Sequence, residues 1–188
     1  QNDLGTSRYN SGTLGIQTAA FAAGGRTPPP DSGSTTVEAY DGSSWTSAPS
    51  LNSARTYLAG VGTTTASLVA MGAQPRNTAS NLAEEYNGSS WSAVNTNSTT
   101  RRLVGAGGIQ TSAVYFGGTP PSTGATEGYD GTAWSTRPTM ATARHALAGG
   151  GIASAALAAG GNAPPWSNAT EEFTGETTSL NVKTLTQS

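Results

Sequence analysis

Short apolar runs, separated by turn-forming segments, recur along the whole chain. Runs such as Ala113–Gly118 and Ala155–Gly161 combine small or apolar residues with a glycine ending. Segments rich in Pro, Gly, Ser and Thr follow them, and no stretch shows the periodicity of an amphipathic helix. Short runs bounded by Gly and Pro are typical of strands. The pattern therefore predicts an all-β protein.

One aromatic hairpin motif divides the chain into four units. It reads Tyr-Asp-Gly-Ser-Ser-Trp at 40–45, Tyr-Asn-Gly-Ser-Ser-Trp at 86–91, Tyr-Asp-Gly-Thr-Ala-Trp at 129–134 and, without the Trp, Phe-Thr-Gly-Glu-Thr-Thr at 173–178. Asp-Gly and Asn-Gly favour tight hairpin turns because both central positions tolerate positive φ. We predict one domain over 1–188, with four-stranded repeats at about 1–48, 49–95, 96–138 and 139–188.

Acidic, basic and aromatic residues keep the same register in every unit. They are Glu38, Glu84, Glu127 and Glu171; Arg8, Arg55, Arg101 and Arg144; Tyr40, Tyr86, Tyr129 and Phe173; and Trp45, Trp91 and Trp134. Each Glu lies two residues before the aromatic, so both share one face of a strand. A carboxylate on that buried face needs a partner. The matching Arg repeat predicts Glu–Arg or Glu–backbone contacts within or between the blades, a structural role rather than a ring of catalytic or metal-binding carboxylates.

The combined pattern resembles the kelch repeat of β-propellers. The shared features are the Gly-Gly ending strand two, the Tyr of strand three, the Trp opening strand four and the Arg before strand one. The second unit departs from the pattern with Met71-Gly72, and the fourth lacks the Trp. The resemblance implies four four-stranded antiparallel blades, with small residues near the axis and aromatics farther out. Four units leave three arrangements open: a closed ring, a segment of a larger ring, or an assembly of copies.

Composition removes several function classes. The chain of 188 residues is 11% charged with net charge −2, which gives no basis for binding a nucleic acid backbone. It has no Cys and one His, His145, so the copper site of galactose oxidase, an enzyme with kelch repeats, is not carried over. The stretch 146–161 is too weakly apolar for membrane insertion. We therefore predict no enzyme activity, no cofactor and no metal.

The long loops between strands two and three differ among the units and carry the candidate ligand-binding residues. These are Trp166, Asn162, Asp31, Arg26 and Arg76. An exposed Trp beside Asn and Ser is suited to stacking on a sugar ring. The alternative is that Trp166 caps an aromatic layer in place of the Trp that unit four lacks.

The composition of the repeats, low in charge and rich in Thr, Ala and Gly, is similar to that of kelch-like arrays in virion-associated and tail-appendage proteins of marine bacteriophages. That resemblance implies a non-enzymatic structural or adhesive module of an extracellular particle, such as a phage virion or tail fibre. Its partners would be other structural chains, including copies of itself, or a surface glycan. The alternative is a stand-alone lectin-like or peptide-binding propeller.

Overall fold

Four four-stranded antiparallel sheets form a four-blade β-propeller. A computed structural model describes residues 2–28, 32–74 and 77–175, together with the backbone of 182–185. Each sheet is a meander in which strands adjacent in sequence pair with one another. No α-helix occurs in these residues. The all-β, four-blade prediction is confirmed.

Sixteen strands build the blades in chain order. Blade 1 contains β1 (Gly12–Ile16), β2 (Ala19–Ala23), β3 (Val37–Tyr40) and β4 (Trp45–Ala48). Blade 2 contains β5 (Ala59–Gly62), β6 (Ser67–Ala70), β7 (Ala83–Tyr86) and β8 (Trp91–Val94). Blade 3 contains β9 (Gly105–Ile109), β10 (Ser112–Phe116), β11 (Thr126–Tyr129) and β12 (Trp134–Arg137). Blade 4 contains β13 (Ala148–Ile152), β14 (Ala155–Ala159), β15 (Thr170–Thr174) and β16 (Val182–Leu185).

Two short ladders lie in the loops of the first two blades. Arg26–Thr27 pairs with Ser32–Gly33, and Ala73–Gln74 pairs with Thr78–Ala79. Both ladders belong to loops between the second and third strands, where the sequence predicts the variable connections.

The first strand of each blade begins later than the sequence predicts. A strand running on directly from Arg144 is wrong, because Ala146 has a φ of 53° and β13 begins only at Ala148. The equivalent residues Asn10, Tyr57 and Leu103 each have a φ of 57°. A left-handed residue cannot continue a strand, so the chain bends between each Arg and its inner strand.

The inner strands approach closely around the axis. β1 packs beside β5, β5 beside β9 and β9 beside β13. A Cβ on Gly149 would lie 2.4 Å from the backbone nitrogen of Ala106, and one on Gly107 would lie 2.9 Å from the carbonyl oxygen of Gly150. These separations leave no room for a side chain, so small residues at the axis are required, as the sequence predicts.

Three apolar clusters hold neighbouring blades together. Phe21 of blade 1 meets Tyr86 of blade 2 edge-on, with ring centroids 5.2 Å apart. Leu68 and Tyr129 lie in the cluster between blades 2 and 3. Phe116 and Phe173 lie in the cluster between blades 3 and 4, with the axial Leu147 and the linker residue Met140. The core of the protein therefore lies between the blades, in successive layers.

Substitution of Gly149 tests the close approach at the axis. We expect Gly149→Ala to lower the free energy of unfolding by about 1–3 kcal/mol, because the added methyl meets backbone atoms of blade 3. Gly150→Ala is the matched control, since a Cβ there has no atom within 4 Å. Urea denaturation of both variants gives the comparison. Equal losses would contradict the packing described here.

Candidate functional site

Every repeat contains the same buried ion pair. Arg8 pairs with Glu38 at 2.5 Å, Arg55 with Glu84 at 2.5 Å, Arg101 with Glu127 at 2.6 Å, and Arg144 pairs with Glu171. In each pair the Arg precedes the first strand of a blade and the Glu lies on the third strand of that blade. All four Glu side chains are buried on the aromatic face. The Glu–Arg contacts expected from the sequence are thus present in all four blades.

The pair in blade 3 shows how fully these groups are engaged. Ser98 donates its backbone N–H and its hydroxyl to Oε1 of Glu127, both at 2.7 Å. Thr99 donates its hydroxyl to Oε2 at 3.0 Å. Arg101 donates Nη1–H to the carbonyl oxygens of Gly117 and Ala125, each at 2.7 Å. The pair therefore ties the loop before β9 to both ends of the loop between β10 and β11.

Hydrogen bonding favours the charged form of the buried carboxyl. Burial by itself would raise the pKa of Glu127, but hydrogen bonds from Ser98 and the charge of Arg101 outweigh it and lower the pKa below the ordinary 4.5. Burial lowers the pKa of the Arg101 guanidinium, and Glu127 opposes that change. The arrangement is a charged scaffold contact whose oxygens already have partners.

The acidic turn residues close hairpins. Asp41 accepts hydrogen bonds from the backbone N–H groups of Ser44 at 2.8 Å and Ser43 at 2.9 Å. These bonds lower the pKa of Asp41 to about 2. In blade 2, Asn87 occupies the same position and accepts equivalent bonds from the two residues that follow Gly88. The neutral amide of Asn87 thus closes its turn in the same way as the carboxylate of Asp41.

The loop of blade 4 presents an exposed indole. Trp166 is 74% exposed, so it does not cap an interior aromatic layer. The loop is braced by reciprocal backbone hydrogen bonds between Asn162 and His145 at 2.7 and 3.0 Å, and by a 2.9 Å bond from Ser167 N–H to Gly161. His145 Nδ1 lies 2.8 Å from the hydroxyl of Ser122. The indole is therefore held outward on a well-connected support.

The remaining candidate ligand-binding residues lie either away from the Trp166 loop or outside the described residues. Arg26 lies with its guanidinium 5.4 Å from the ring centroid of Tyr57 and donates to the side chain of Asn77 at 3.0 Å. Asp31 and Arg76 lie outside the described residues. Arg26 and Trp166 thus belong to two groups, on the loops of blades 1 and 4.

Tyr57 and Arg102 were not singled out by sequence reasoning. The guanidinium of Arg102 lies 5.7 Å from the Tyr57 ring centroid and donates to the carbonyl of Asn77 at 2.8 Å. A usable signal was present, because Tyr57 is the aromatic member of a repeat position otherwise held by Asn10, Leu103 and Ala146.

The axial channel offers little chemistry. Its cavity of about 190 Å³ is lined by all four inner strands, and its polar side chains are Ser11 and Thr13. Within the described ranges there is no group of three or more His, Cys, Asp or Glu that could hold a metal ion. No helix in that part of the chain is long and apolar enough to cross a membrane.

No protein-family model matches the chain, and a search of curated proteins found no match.

Removal of Arg101 tests the scaffold role of the ion pairs. We expect Arg101→Met to lower the free energy of unfolding by about 3–5 kcal/mol, because Glu127 is left charged and buried. The neighbouring Arg102→Met is the control, with an expected loss of about 1 kcal/mol or less, since Arg102 is half-buried. Chemical denaturation measures both. Similar losses in the two variants would contradict a special role for the pair.

The Asp41→Asn variant tests how much the ionised carboxylate of Asp41 contributes to stability at acid pH. Because the pKa in the folded protein lies below the ordinary 3.8, ionised Asp41 adds stability that is present above that value. That stability is lost as the pH falls toward about 2. Asn keeps the turn, as Asn87 does, but does not titrate. We expect the stability of wild type relative to the variant to decline across this pH window in urea titrations. A difference that is independent of pH would contradict the assignment.

Proposed function

We propose that the protein is a non-catalytic adhesive module whose blade 4 loop contacts a carbohydrate surface. The observation that carries this proposal is the 74% exposure of Trp166 on a loop braced by backbone hydrogen bonds. An indole combines a broad apolar face with an N–H donor, which suits the apolar and polar faces of a sugar ring. Asn162 lies on the same loop; its Oδ1 is buried, so its amide nitrogen is the group that would donate a hydrogen bond to a sugar hydroxyl.

The repeated charged residues support adhesion rather than turnover. Each repeat Glu is buried and paired with an Arg, and three of the four also accept hydrogen bonds from two backbone N–H groups. A general acid or base must reach its substrate. The periodic carboxylates are enclosed in the scaffold, which leaves the loops as the variable surface.

The proposed biological setting rests on the sequence resemblance. Repeats that resemble the kelch type, with low charge and abundant Thr, Ala and Gly, support a place in an extracellular particle, such as a phage virion or tail fibre. In that setting the partners are surface glycans and other structural chains.

The stand-alone peptide-binding alternative has an observation of its own. The guanidinium groups of Arg26 and Arg102 both lie close to the ring of Tyr57, at 5.4 and 5.7 Å from its centroid. A half-exposed aromatic ring with two cations near it suits an acidic peptide segment.

A glycan-binding screen with Trp166 variants tests the proposal. We expect the wild-type chain to bind at least one glycan class, and Trp166→Ala to weaken that binding by about tenfold through loss of the stacking surface. Trp166→Phe should retain most of the affinity. Thermal unfolding should be unchanged in both variants, because the side chain is largely in solvent.

Two outcomes would overturn it. One is the absence of glycan binding across the screen. The other is binding that Trp166→Ala leaves intact. Binding of an acidic peptide that is lost in Tyr57→Ala, and not in Trp166→Ala, would favour the peptide-binding alternative.

A further inference from the structure

The three interfaces between blades have one recurring design. One blade contributes an apolar side chain from its second strand: Phe21, Leu68 or Val114, at 2%, 0% and 1% exposure. The next blade contributes the aromatic of its third strand: Tyr86, Tyr129 or Phe173, none above 9%. The faces are therefore directional, with an apolar face on one side of each blade and a Glu/aromatic face on the other.

Blade 4 presents the apolar face without a described partner. Leu157 occupies the position of Phe21, Leu68 and Val114, yet it is 42% exposed. A Cβ added at the adjacent Gly150 would have no atom within 4 Å, whereas one at the equivalent Gly107 meets blade 4 backbone. We call Gly150, Leu157 and Ala159 the blade 4 face.

Blade 1 presents the complementary surface. Tyr40 and Ala20 are partly exposed. The equivalents of Tyr40 in blades 2–4 are buried, as are those of Ala20, namely Ser67, Ala113 and Ala156. We call Ala20 and Tyr40 the blade 1 face. Among the described residues no apolar cluster joins the two faces, in contrast to the three other blade junctions.

Backbone hydrogen bonds link each blade to the next in the same order, and among the described residues they too do not join blade 4 to blade 1. Tyr57 N–H donates to the Asn10 carbonyl at 2.8 Å, Leu103 N–H to Tyr57 at 3.1 Å, and Ala146 N–H to Leu103 at 2.8 Å. Within this described set, no bond runs from Asn10 N–H to the Ala146 carbonyl. The series of bonds thus has a donor at its blade 1 end and an acceptor at its blade 4 end.

We propose that the blade 4 face binds the blade 1 face of a second copy of this chain, head to tail. The contact continues an interface that the protein already builds three times, with Leu157 seated against the Tyr40 side as Phe21 is against Tyr86. It also places Asn10 N–H of one copy opposite the Ala146 carbonyl of the other. Glu172, the cross-strand partner of Leu157, does not prevent this, because the equivalent Glu85 is half-buried between blades 2 and 3. Such a heterologous contact builds closed rings or filaments. It is independent of sugar binding.

Native mass and two complementary variants test the contact. Light scattering of the wild-type chain at increasing concentration should show multiples of the chain mass. Leu157→Arg blocks the blade 4 face and Ala20→Arg blocks the blade 1 face, so each variant alone should be monomeric. A mixture of the two retains one intact face on each partner and should form one-to-one dimers. Ile109→Arg, at an exposed hairpin tip of blade 3, should associate like the wild type.

Each outcome decides the proposal. Circular dichroism of the diluted variants checks that they are folded. We expect them to be folded because both substitutions lie at surface positions. Dimers formed only in the mixture support head-to-tail docking. A wild-type chain that stays monomeric at every concentration overturns it and favours closure of blade 4 on blade 1. Association that neither variant weakens overturns it equally.

Discussion

The buried Arg–Glu pair is the constraint on which the repeat depends. Removing two charges from water is costly, and the cost is offset only when the remaining donors and acceptors find partners. Here the guanidinium also reaches carbonyls on either side of a loop, as Arg101 does with Gly117 and Ala125. One side chain thus fixes the position of the inner strand, the loop and the third strand together. This explains why Glu and Arg recur while the loop residues differ.

The axis imposes the second constraint. Four blades can converge on one narrow axis only if the backbones of neighbouring inner strands lie close together, as those of Gly149 and Ala106 do. Small residues at the axis bury little apolar surface. Most of the buried apolar surface must therefore come from larger side chains farther from the axis, where neighbouring blades are wider apart. Phe21, Tyr86 and Trp91 supply it between blades 1 and 2. The Gly/Ala composition and the spaced aromatics are therefore two consequences of one wedge shape.

Much of this order was readable from the sequence. The Asp-Gly hairpins, the strand pairing around them and the burial of Glu84 beside Tyr86 all follow from spacing and alternation. The start of the inner strands could not be predicted from the sequence, because Leu and Ala, the residues at 103 and 146, do not favour a positive φ. That conformation is set by the hydrogen bonds between successive blades, which are long-range contacts. The outward position of Trp166 was also undetermined, since the same residue could have filled the interior of a unit that lacks its own Trp.

Equivalent residues of a repeat need not have equivalent surroundings. In an array stabilised by contacts between neighbours, the terminal units lack one neighbour, and their interface residues reach solvent unless something covers them. Leu157 and Tyr40 share the repeat positions of buried residues, but each lies on the outer side of a terminal blade. Their exposure is a property of position in the array rather than of sequence. The repeat positions that form the interior of the protein between its blades are therefore the same positions that are exposed on its first and last blades.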